Sequence, residues 1–165
     1  MKKNSILFVV SLFTLVVTAQ KNVLNPKFNV MLDTLLTHSV KEVLPTDVAS
    51  NKDIFYLDSR SKKEFKVSHI NNATWVGFTS FNLKRVKNIP KDQKIVVYCT
   101  VGYRSEKIAE KLVKAGFTDV SNLYGGIFEW VHHDQSVVND KGITKEIHTY
   151  DKNWAQWLDK GIKKH

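Results

Sequence analysis

Cysteine is nearly absent from this chain of 165 residues, in which Cys99 is the only one. A single cysteine cannot form a disulfide within the chain, and no second thiol is present to resolve a sulfur or oxygen species on the first. No cysteine lies directly after the apolar N-terminal stretch, which excludes a lipid-modified N-terminal cysteine. A lone thiol is a liability in an oxidising compartment unless it is buried or used, so Cys99 requires an explanation.

The chain also lacks internal repeats, low-complexity segments and any cluster of Lys and Arg with interleaved aromatic residues. The last absence argues against a nucleic-acid partner, although the formal net charge is +9. We interpret the excess of basic residues as a solvated surface that favours small anions or anionic membrane surfaces. The length and the 42% content of hydrophobic residues predict one domain with its own core.

Residues 1–19 have the pattern of a secretory signal peptide. Residues 1–3 are a basic beginning, residues 6–17 an apolar run, and residues 17–19 a small-residue cleavage site. The apolar run is short for a membrane span. We therefore expect a protein that is exported to the periplasm or secreted, without stable membrane insertion after cleavage. An uncleaved anchor is the alternative.

The rest of the chain alternates between strand and helix patterns, which predicts an α/β sandwich with a mainly parallel central sheet flanked by helices. Helices are expected over residues 26–36, 61–67, 105–115 and 127–133, and strands over residues 39–43, 54–57, 73–76, 95–98 and 120–123. The predicted organisation is an N-terminal helical segment over residues 20–38, a domain over residues 39–134, and a C-terminal extension over residues 135–165 packed on the domain.

Cys99 follows an apolar, β-branched strand and opens a short polar loop that leads into a helix. The N-terminus of a helix presents unpaired backbone N–H groups and the positive end of the helix dipole. Such a loop stabilises an anion and favours the thiolate form of Cys99, and Arg104 adds a positive charge. Gly102 lets the backbone turn. A buried packing residue is the alternative, but packing does not require Gly, Arg and Ser within six positions of the sulfur.

The pattern Cys-x-x-Gly-x-Arg-Ser at a strand-to-helix junction resembles the active-site loop of the rhodanese (sulfurtransferase) family. The resemblance covers about residues 39–130, and Ser68 and residues 71–72 depart from the family's usual Gly and Pro-Gly. Two further groups of residues are similar to its first and closing motifs: Leu57-Asp58-Ser59-Arg60 with Glu64-Phe65, His69-Ile70 and Ala73, and residues 117–120 with Tyr124-Gly125-Gly126 and Trp130.

The resemblance implies a rhodanese-like fold and a thiosulfate sulfurtransferase. Cys99 would attack the outer sulfur of a donor such as thiosulfate, hold it as a persulfide, and pass it to a thiophilic acceptor. Arg104 would be the second catalytic residue, orienting the donor or stabilising the leaving sulfite. The backbone N–H groups of the loop would cradle the persulfide and Arg60 would be a second cation, so the implied substrate-binding residues are Thr100, Val101, Gly102, Tyr103, Ser105 and Arg60. Arg60 is alternatively a structural partner of a carboxylate, and Asp58 a strand-end cap or salt-bridge partner.

No cofactor and no metal are implied. The expected partners are a small anionic sulfur donor and a thiol or cyanide acceptor, for example a thioredoxin-like protein. Two other functions stay open. A non-catalytic rhodanese-like domain can act as a binding scaffold, and cysteine-dependent phosphatases and arsenate reductases also place a thiolate in a loop that ends in Arg. The phosphatase loop is longer than the four residues that separate Cys99 from Arg104.

Two features near the C-terminus have alternative interpretations. His132-His133-Asp134 could be metal ligands, but we interpret them as a solvated helix end because no third ligand has the spacing of a metal site. Residues 150–162 place Trp154, Trp157, Leu158 and Ile162 at helical spacing. That stripe predicts a helix that lies on a membrane surface or packs on its own domain.

Overall fold

The computed structural model describes residues 22–165, so the predicted signal peptide lies outside the described residues. The helices are α1 (Pro26–Leu35), α2 (Pro45–Val48), α3 (Lys62–Val67), α4 (Tyr103–Lys114) and α5 (Gly126–His132), with 3-10 turns over Leu83–Val86 and Trp154–Trp157. The strands are β1 (Lys41–Val43), β2 (Phe55–Asp58), β3 (His69–Ile70), β4 (Thr74–Trp75), β5 (Ile95–Tyr98), β6 (Val120–Leu123), β7 (Val137–Asn139), β8 (Gly142–Thr144), β9 (Glu146–His148) and β10 (Ile162–Lys164).

The central sheet has five strands in the order β1-β6-β5-β2-β4, and every neighbouring pair is parallel. This confirms the predicted α/β fold. All four residues of the central strand β5 are buried, as expected for a parallel strand covered on both faces. Alternate side chains of β5 enter two different cores. Val96 and Tyr98 pack with α1 and α5, whereas Ile95 and Val97 pack with α4.

The C-terminal residues build two small sheets beside the central one. The hairpin β7-β8 adds to β3, and β9 pairs with β10 in parallel. The core on the α1 and α5 face continues without a break into Ile147 and Leu158, so the extension shares its core with the first helix. Trp157 stacks on Phe28 of α1, with 5.8 Å between the ring centroids.

The prediction of a helix over residues 150–162 is wrong. Only Trp154–Trp157 forms a 3-10 turn, and Ile162 lies exposed in β10. Leu158, which is buried, and Trp154 and Trp157, which are half-buried, pack against the core. The spacing therefore reflects packing on the domain, which was one of the two interpretations. Among residues 22–165 no helix is long and apolar enough to cross a bilayer.

The interpretation of the histidine pair as a solvated helix end is wrong for His132, which is buried. Its ring is buried, with Nδ1 3.1 Å from a Glu129 carboxylate oxygen. The other ring nitrogen, Nε2, accepts the backbone N–H of Asp159 at 3.0 Å. The pair of hydrogen bonds connects α5 to the C-terminal extension, so His132 stabilises the fold.

Candidate active site

The loop after β5 is shorter than the sequence predicted, because α4 begins at Tyr103 rather than at Ser105. Gly102 is the N-cap residue, and its φ of +124° is a conformation that other residues rarely adopt. The first bond of the helix runs from the Glu106 N–H to the Gly102 carbonyl at 3.0 Å. The N–H groups of the first helical turn therefore lack partners within the helix. The Gly102 N–H donates to the Cys99 sulfur at 3.1 Å.

The N-terminus of α5 holds the backbone of the loop from the other side. The Ile127 N–H donates to the Cys99 carbonyl at 2.9 Å, and the Phe128 N–H donates to the Thr100 carbonyl at 3.3 Å. Gly126 makes this approach possible, because a Cβ at this position would lie 2.6 Å from the Cys99 carbonyl oxygen. The glycine pair of the predicted closing motif thus has a packing role at the candidate site.

Ser105 lies at the candidate site but does not present its hydroxyl to a ligand. The hydroxyl is fully buried and donates to the side-chain oxygen of Asn122 at 2.7 Å. The Asn122 amide in turn donates to the Gly102 carbonyl at 3.1 Å. The Ser105 side chain therefore anchors the loop to β6, and substrate binding by Ser105, through its backbone N–H, stays a prediction.

The guanidinium of Arg104 is directed at a carboxylate. Its Nη2 and Nη1 atoms donate to the two Glu64 carboxylate oxygens at 2.7 and 3.0 Å, and Nη2 also donates to the Thr100 hydroxyl at 2.7 Å. The Thr100 hydroxyl donates to Glu64 at 3.0 Å. Arg104 therefore enters the site with its charge balanced by Glu64, and its predicted catalytic role stays a prediction. Thr100 uses its hydroxyl within the same network.

The ion pair between Arg104 and Glu64 shifts the pKa of both side chains. Burial alone would raise the pKa of Glu64, but the hydrogen bonds and charge of Arg104 and the charge of Arg60 lower it to about 2. Burial alone would lower the pKa of Arg104, but hydrogen bonding to Glu64 and the nearby Cys99 and Glu64 charges raise it. Both side chains stay ionised over the physiological range of pH.

Arg60 is buried completely, although it lies among the residues that border the cavity beside Cys99. Its guanidinium donates to both carboxylate oxygens of Asp58 and, from Nη2, to the Ser68 carbonyl at 2.6 Å. Its Nη1 atom is buried and has no hydrogen-bond partner, so substrate binding by Arg60 stays a prediction. Of the two roles predicted for Arg60, the structure has the structural one, with Asp58 as the carboxylate. As predicted from the strand ends, this pair lies at the same sheet edge as Cys99, since Asp58 is in register with Tyr98.

Cys99 is 1% exposed, yet it borders a cavity of about 740 Å³. Thr100, Val101, Tyr103 and Arg104 border the same cavity, so most of the predicted loop residues lie together there. Cys99 is thus shielded from bulk water and lies next to the cavity. An N–H-lined loop that presents a shielded thiol can hold a negative sulfur species, as an oxyanion hole holds a developing charge.

Sequence reasoning missed several residues of this site. Glu64 was named as part of the first motif, without a contact to the Cys99 loop, yet its carboxylate accepts the Ser61 N–H at 2.9 Å and binds Arg104. Its part in the first motif was the available signal. Trp75, Tyr150 and Trp154 also border the cavity. No local pattern indicates the last two, because they are distant from Cys99 in sequence. Within residues 22–165 no three His, Cys, Asp or Glu side chains form a group that could hold a metal ion.

Known proteins resemble the chain in sequence and in fold. The profile of the Rhodanese-like domain family matches residues 44–133. The tRNA uridine(34) hydroxylase of Staphylococcus carnosus is 37% identical over 129 residues, which cover 68% of this chain and 41% of that protein. The chain spans less than half the length of the curated relatives it matches.

Solved structures share the fold. A rhodanese-related protein of Thermoplasma volcanium has a TM-score of 0.54 and 27% identity, over 59% of this chain and 97% of that one. The thiosulfate sulfurtransferase of Pseudomonas aeruginosa has a TM-score of 0.55 and 18% identity, over 72% of this chain and 23% of that one. At 18% identity the second likeness concerns the fold alone.

Proposed function

Since the chain belongs to the rhodanese-like domain family, we propose that it is a sulfurtransferase that carries a sulfane sulfur as a persulfide on Cys99. The observation that carries this proposal is the position of Cys99, whose sulfur accepts the Gly102 N–H at 3.1 Å and which borders a cavity. A cysteine kept only for packing has no need of a cavity or of a donor aimed at its sulfur.

The proposed reaction has two displacements at sulfur. The Cys99 thiolate attacks the outer sulfur of thiosulfate, a new S–S bond forms, and the S–S bond of the donor breaks as sulfite leaves with the electron pair. The persulfide anion lies where backbone N–H groups converge. A thiolate or cyanide then attacks the outer sulfur, takes it as a new persulfide or as thiocyanate, and restores the Cys99 thiolate.

The other loop residues have supporting roles in this proposal. Gly102 and the first turn of α4 supply N–H donors to the negative sulfur. Arg104, bound to Glu64, is a positioning residue that holds the loop and borders the cavity. Val101 and Tyr103 shape the walls, and Ser105 anchors the loop through Asn122.

We further propose that the protein works after export, in the periplasm or outside the cell, as the N-terminal pattern predicts. Cys99 has no resolving partner in the chain, so an external thiol must remove the sulfur. A thioredoxin-like protein or a small thiol fits that requirement.

The 37% identity to a protein named tRNA uridine(34) hydroxylase favours a second candidate, a part in tRNA modification. Because the chain spans less than half of that protein, the activity of the whole relative is a hypothesis for this chain. The proposed export opposes this candidate, because an exported protein meets little nucleic acid. Incubation with tRNA, followed by mass spectrometry of the uridines, tests it directly.

The main experiment exposes the mature chain to thiosulfate and measures the intact mass. We expect a gain of one sulfur atom in the wild type and none in Cys99→Ala, and thiocyanate formation from cyanide only in the wild type. A panel of donors (thiosulfate, mercaptopyruvate, polysulfide) and acceptors (cyanide, glutathione, reduced thioredoxin) identifies the efficient pair, with a phosphate ester as the control. Turnover in Cys99→Ala overturns the proposal, and an unmodified thiol in folded wild type favours the scaffold function.

A further inference from the structure

We propose that the cavity over Cys99 selects an organic sulfur donor with an anionic sulfur end and an aromatic body, and that the C-terminal extension supplies the selecting wall. This inference rests on the proposed sulfurtransferase function and names the class of donor. It concerns a part of the chain, beyond residue 133, that the family profile does not match.

The size of the cavity is the first argument. At about 740 Å³ it lies within the range of roughly 300–1,000 Å³ that is typical of pockets for organic ligands. Thiosulfate bound at the Cys99 loop would touch only one end of this space. The remainder has room for a ring or a chain attached to the sulfur that reacts.

The lining of the cavity is the second argument. Its walls are mainly apolar, and five of the lining residues are aromatic: Trp75, Phe78, Tyr103, Tyr150 and Trp154. Apart from the hydroxyl-bearing Ser61, Thr79, Ser80 and Thr100, these walls give few hydrogen bonds to replace the hydration of an inorganic dianion. An aromatic body, by contrast, gains free energy from burial and from edge or face contacts with the rings.

The charge around the cavity is the third argument. Arg104 and Arg60, the two arginines that border the cavity, are paired with Glu64 and Asp58, so neither contributes a free cation. Lys62 also borders the cavity, and its ammonium lies 4.7 Å from the centroid of the Trp75 ring. The cavity therefore suits one anionic end near the loop rather than a compact, doubly charged ion.

Tyr150 is held over the site by the fold of the extension. Its φ is +68°, a conformation that costs free energy for a residue with a side chain. The preceding residue, Thr149, donates its N–H to the Lys164 carbonyl at 2.9 Å, and the Tyr150 N–H donates to His148 at 3.0 Å. The Tyr150 ring lies against the Arg104 guanidinium, 5.1 Å from centroid to carbon. Trp154 follows in the 3-10 turn and completes this wall.

Organic thiosulfonates are suitable probes of this class. The Cys99 thiolate attacks the outer sulfur, the bond between that sulfur and the sulfonyl sulfur breaks, and a sulfinate leaves with the electron pair. Methanethiosulfonate and benzenethiosulfonate, both used as their anions, undergo the same reaction and differ in the body attached to the sulfonyl group. Their intrinsic reactivities cancel when a variant is compared with the wild type.

The experiment measures kcat/KM for both probes and for thiosulfate, with cyanide as the fixed acceptor. We expect Tyr150→Ala and Trp154→Ala each to lower the value for benzenethiosulfonate by about tenfold, and that for methanethiosulfonate by less than about threefold. Trp154→Phe should recover most of the loss. Phe55→Ala is the control, because Phe55 is an exposed aromatic residue at the start of β2, at the opposite end of the strands from Cys99.

A second readout does not require sulfur transfer. Benzenesulfinate should bind to Cys99→Ala, as measured by calorimetry, and should bind several-fold more weakly when Trp154→Ala is added. If all three donors lose the same factor in the Tyr150 and Trp154 variants, the inference is wrong while sulfur transfer stands. If no donor yields a persulfide but benzenesulfinate binds in the expected way, the proposed function fails and the ligand class of the cavity stands. Absence of binding and of donor selectivity overturns the inference.

Discussion

The carboxylate of Glu64 holds the guanidinium of Arg104 through two hydrogen bonds of 2.7 and 3.0 Å. Glu64 lies in the first turn of α3 and Arg104 in the first turn of α4, so the pair joins the N-termini of two helices across the candidate site. The same carboxylate accepts the Thr100 hydroxyl and the Ser61 N–H. The conformation of the Cys99 loop thus depends on a residue that lies outside the loop.

Glu64→Gln removes the negative charge and keeps the shape of the side chain. We expect the free energy of unfolding to fall by about 3 kcal/mol at neutral pH, because Arg104 is left largely buried without a counter-charge. Urea denaturation measures this change. Glu146→Gln is the matched control, since it breaks an exposed pair with Lys164 and should cost less than about 1 kcal/mol. Equal losses in the two variants would contradict the role assigned to Glu64.

The contribution of Glu64 should depend on pH in a stated direction. Its pKa falls from an ordinary value of 4.5 to about 2 on folding, so the unfolded chain binds more protons between these values. The stabilisation is therefore complete above about pH 4.5 and is lost as the pH falls toward 2. The difference in unfolding free energy between wild type and Glu64→Gln should shrink over that window. A difference that stays constant down to pH 2 would refute this prediction.

Gly126→Ala should displace the loop that carries Cys99. The new Cβ would lie 2.6 Å from the Cys99 carbonyl oxygen and from Thr100 backbone atoms, and the φ of +59° disfavours a side chain. We expect a loss of stability well above the 1–2 kcal/mol typical of a left-handed alanine, together with a large loss of sulfur transfer.

Gly116→Ala is the control for this variant. Gly116 has a φ of +87°, and no atom lies within 4 Å of a Cβ added there. Gly116→Ala should therefore lose stability only through the unfavourable backbone conformation of an alanine at positive φ. Thermal unfolding and thiocyanate formation are compared for both variants. If Gly126→Ala costs no more than Gly116→Ala, the close approach of α5 to the loop does not constrain the site.

Asp58→Asn should destabilise the fold by about 3–5 kcal/mol, because it leaves the fully buried Arg60 charge without its partner. The double variant Asp58→Leu with Arg60→Met should recover most of that stability, since apolar residues of similar size can replace a buried ion pair. It should also keep the KM for the donor within about threefold of the wild type. A large rise in KM in a stable double variant would show that Arg60 binds the donor after all.

Much of the fold could be predicted from local patterns. Strand β5 and helices α3 and α4 each depend on residues that are neighbours in sequence, and each lies where it was predicted to within two residues. The position of Asp58 and Cys99 at the same edge of the sheet could be predicted, because parallel strands end at one edge. The error over residues 150–162 arose because helical spacing was taken as a helix. Tyr150 and Gly161 both have positive φ, and the segment between them packs irregularly against the core instead of forming a helix.

The residues of one loop and the chemistry available to them were determined by the sequence alone: a single thiol at the end of a buried strand, followed by a glycine and the first turn of a helix. What surrounds that thiol was decided only by the tertiary structure. Whether Arg104 and Arg60 are free or paired depends on Glu64 and Asp58, and the cavity owes one wall to Tyr150 and Trp154. Charge balance and cavity shape depend on contacts between side chains that are distant in sequence. The spacing of residues along the chain does not predict those contacts.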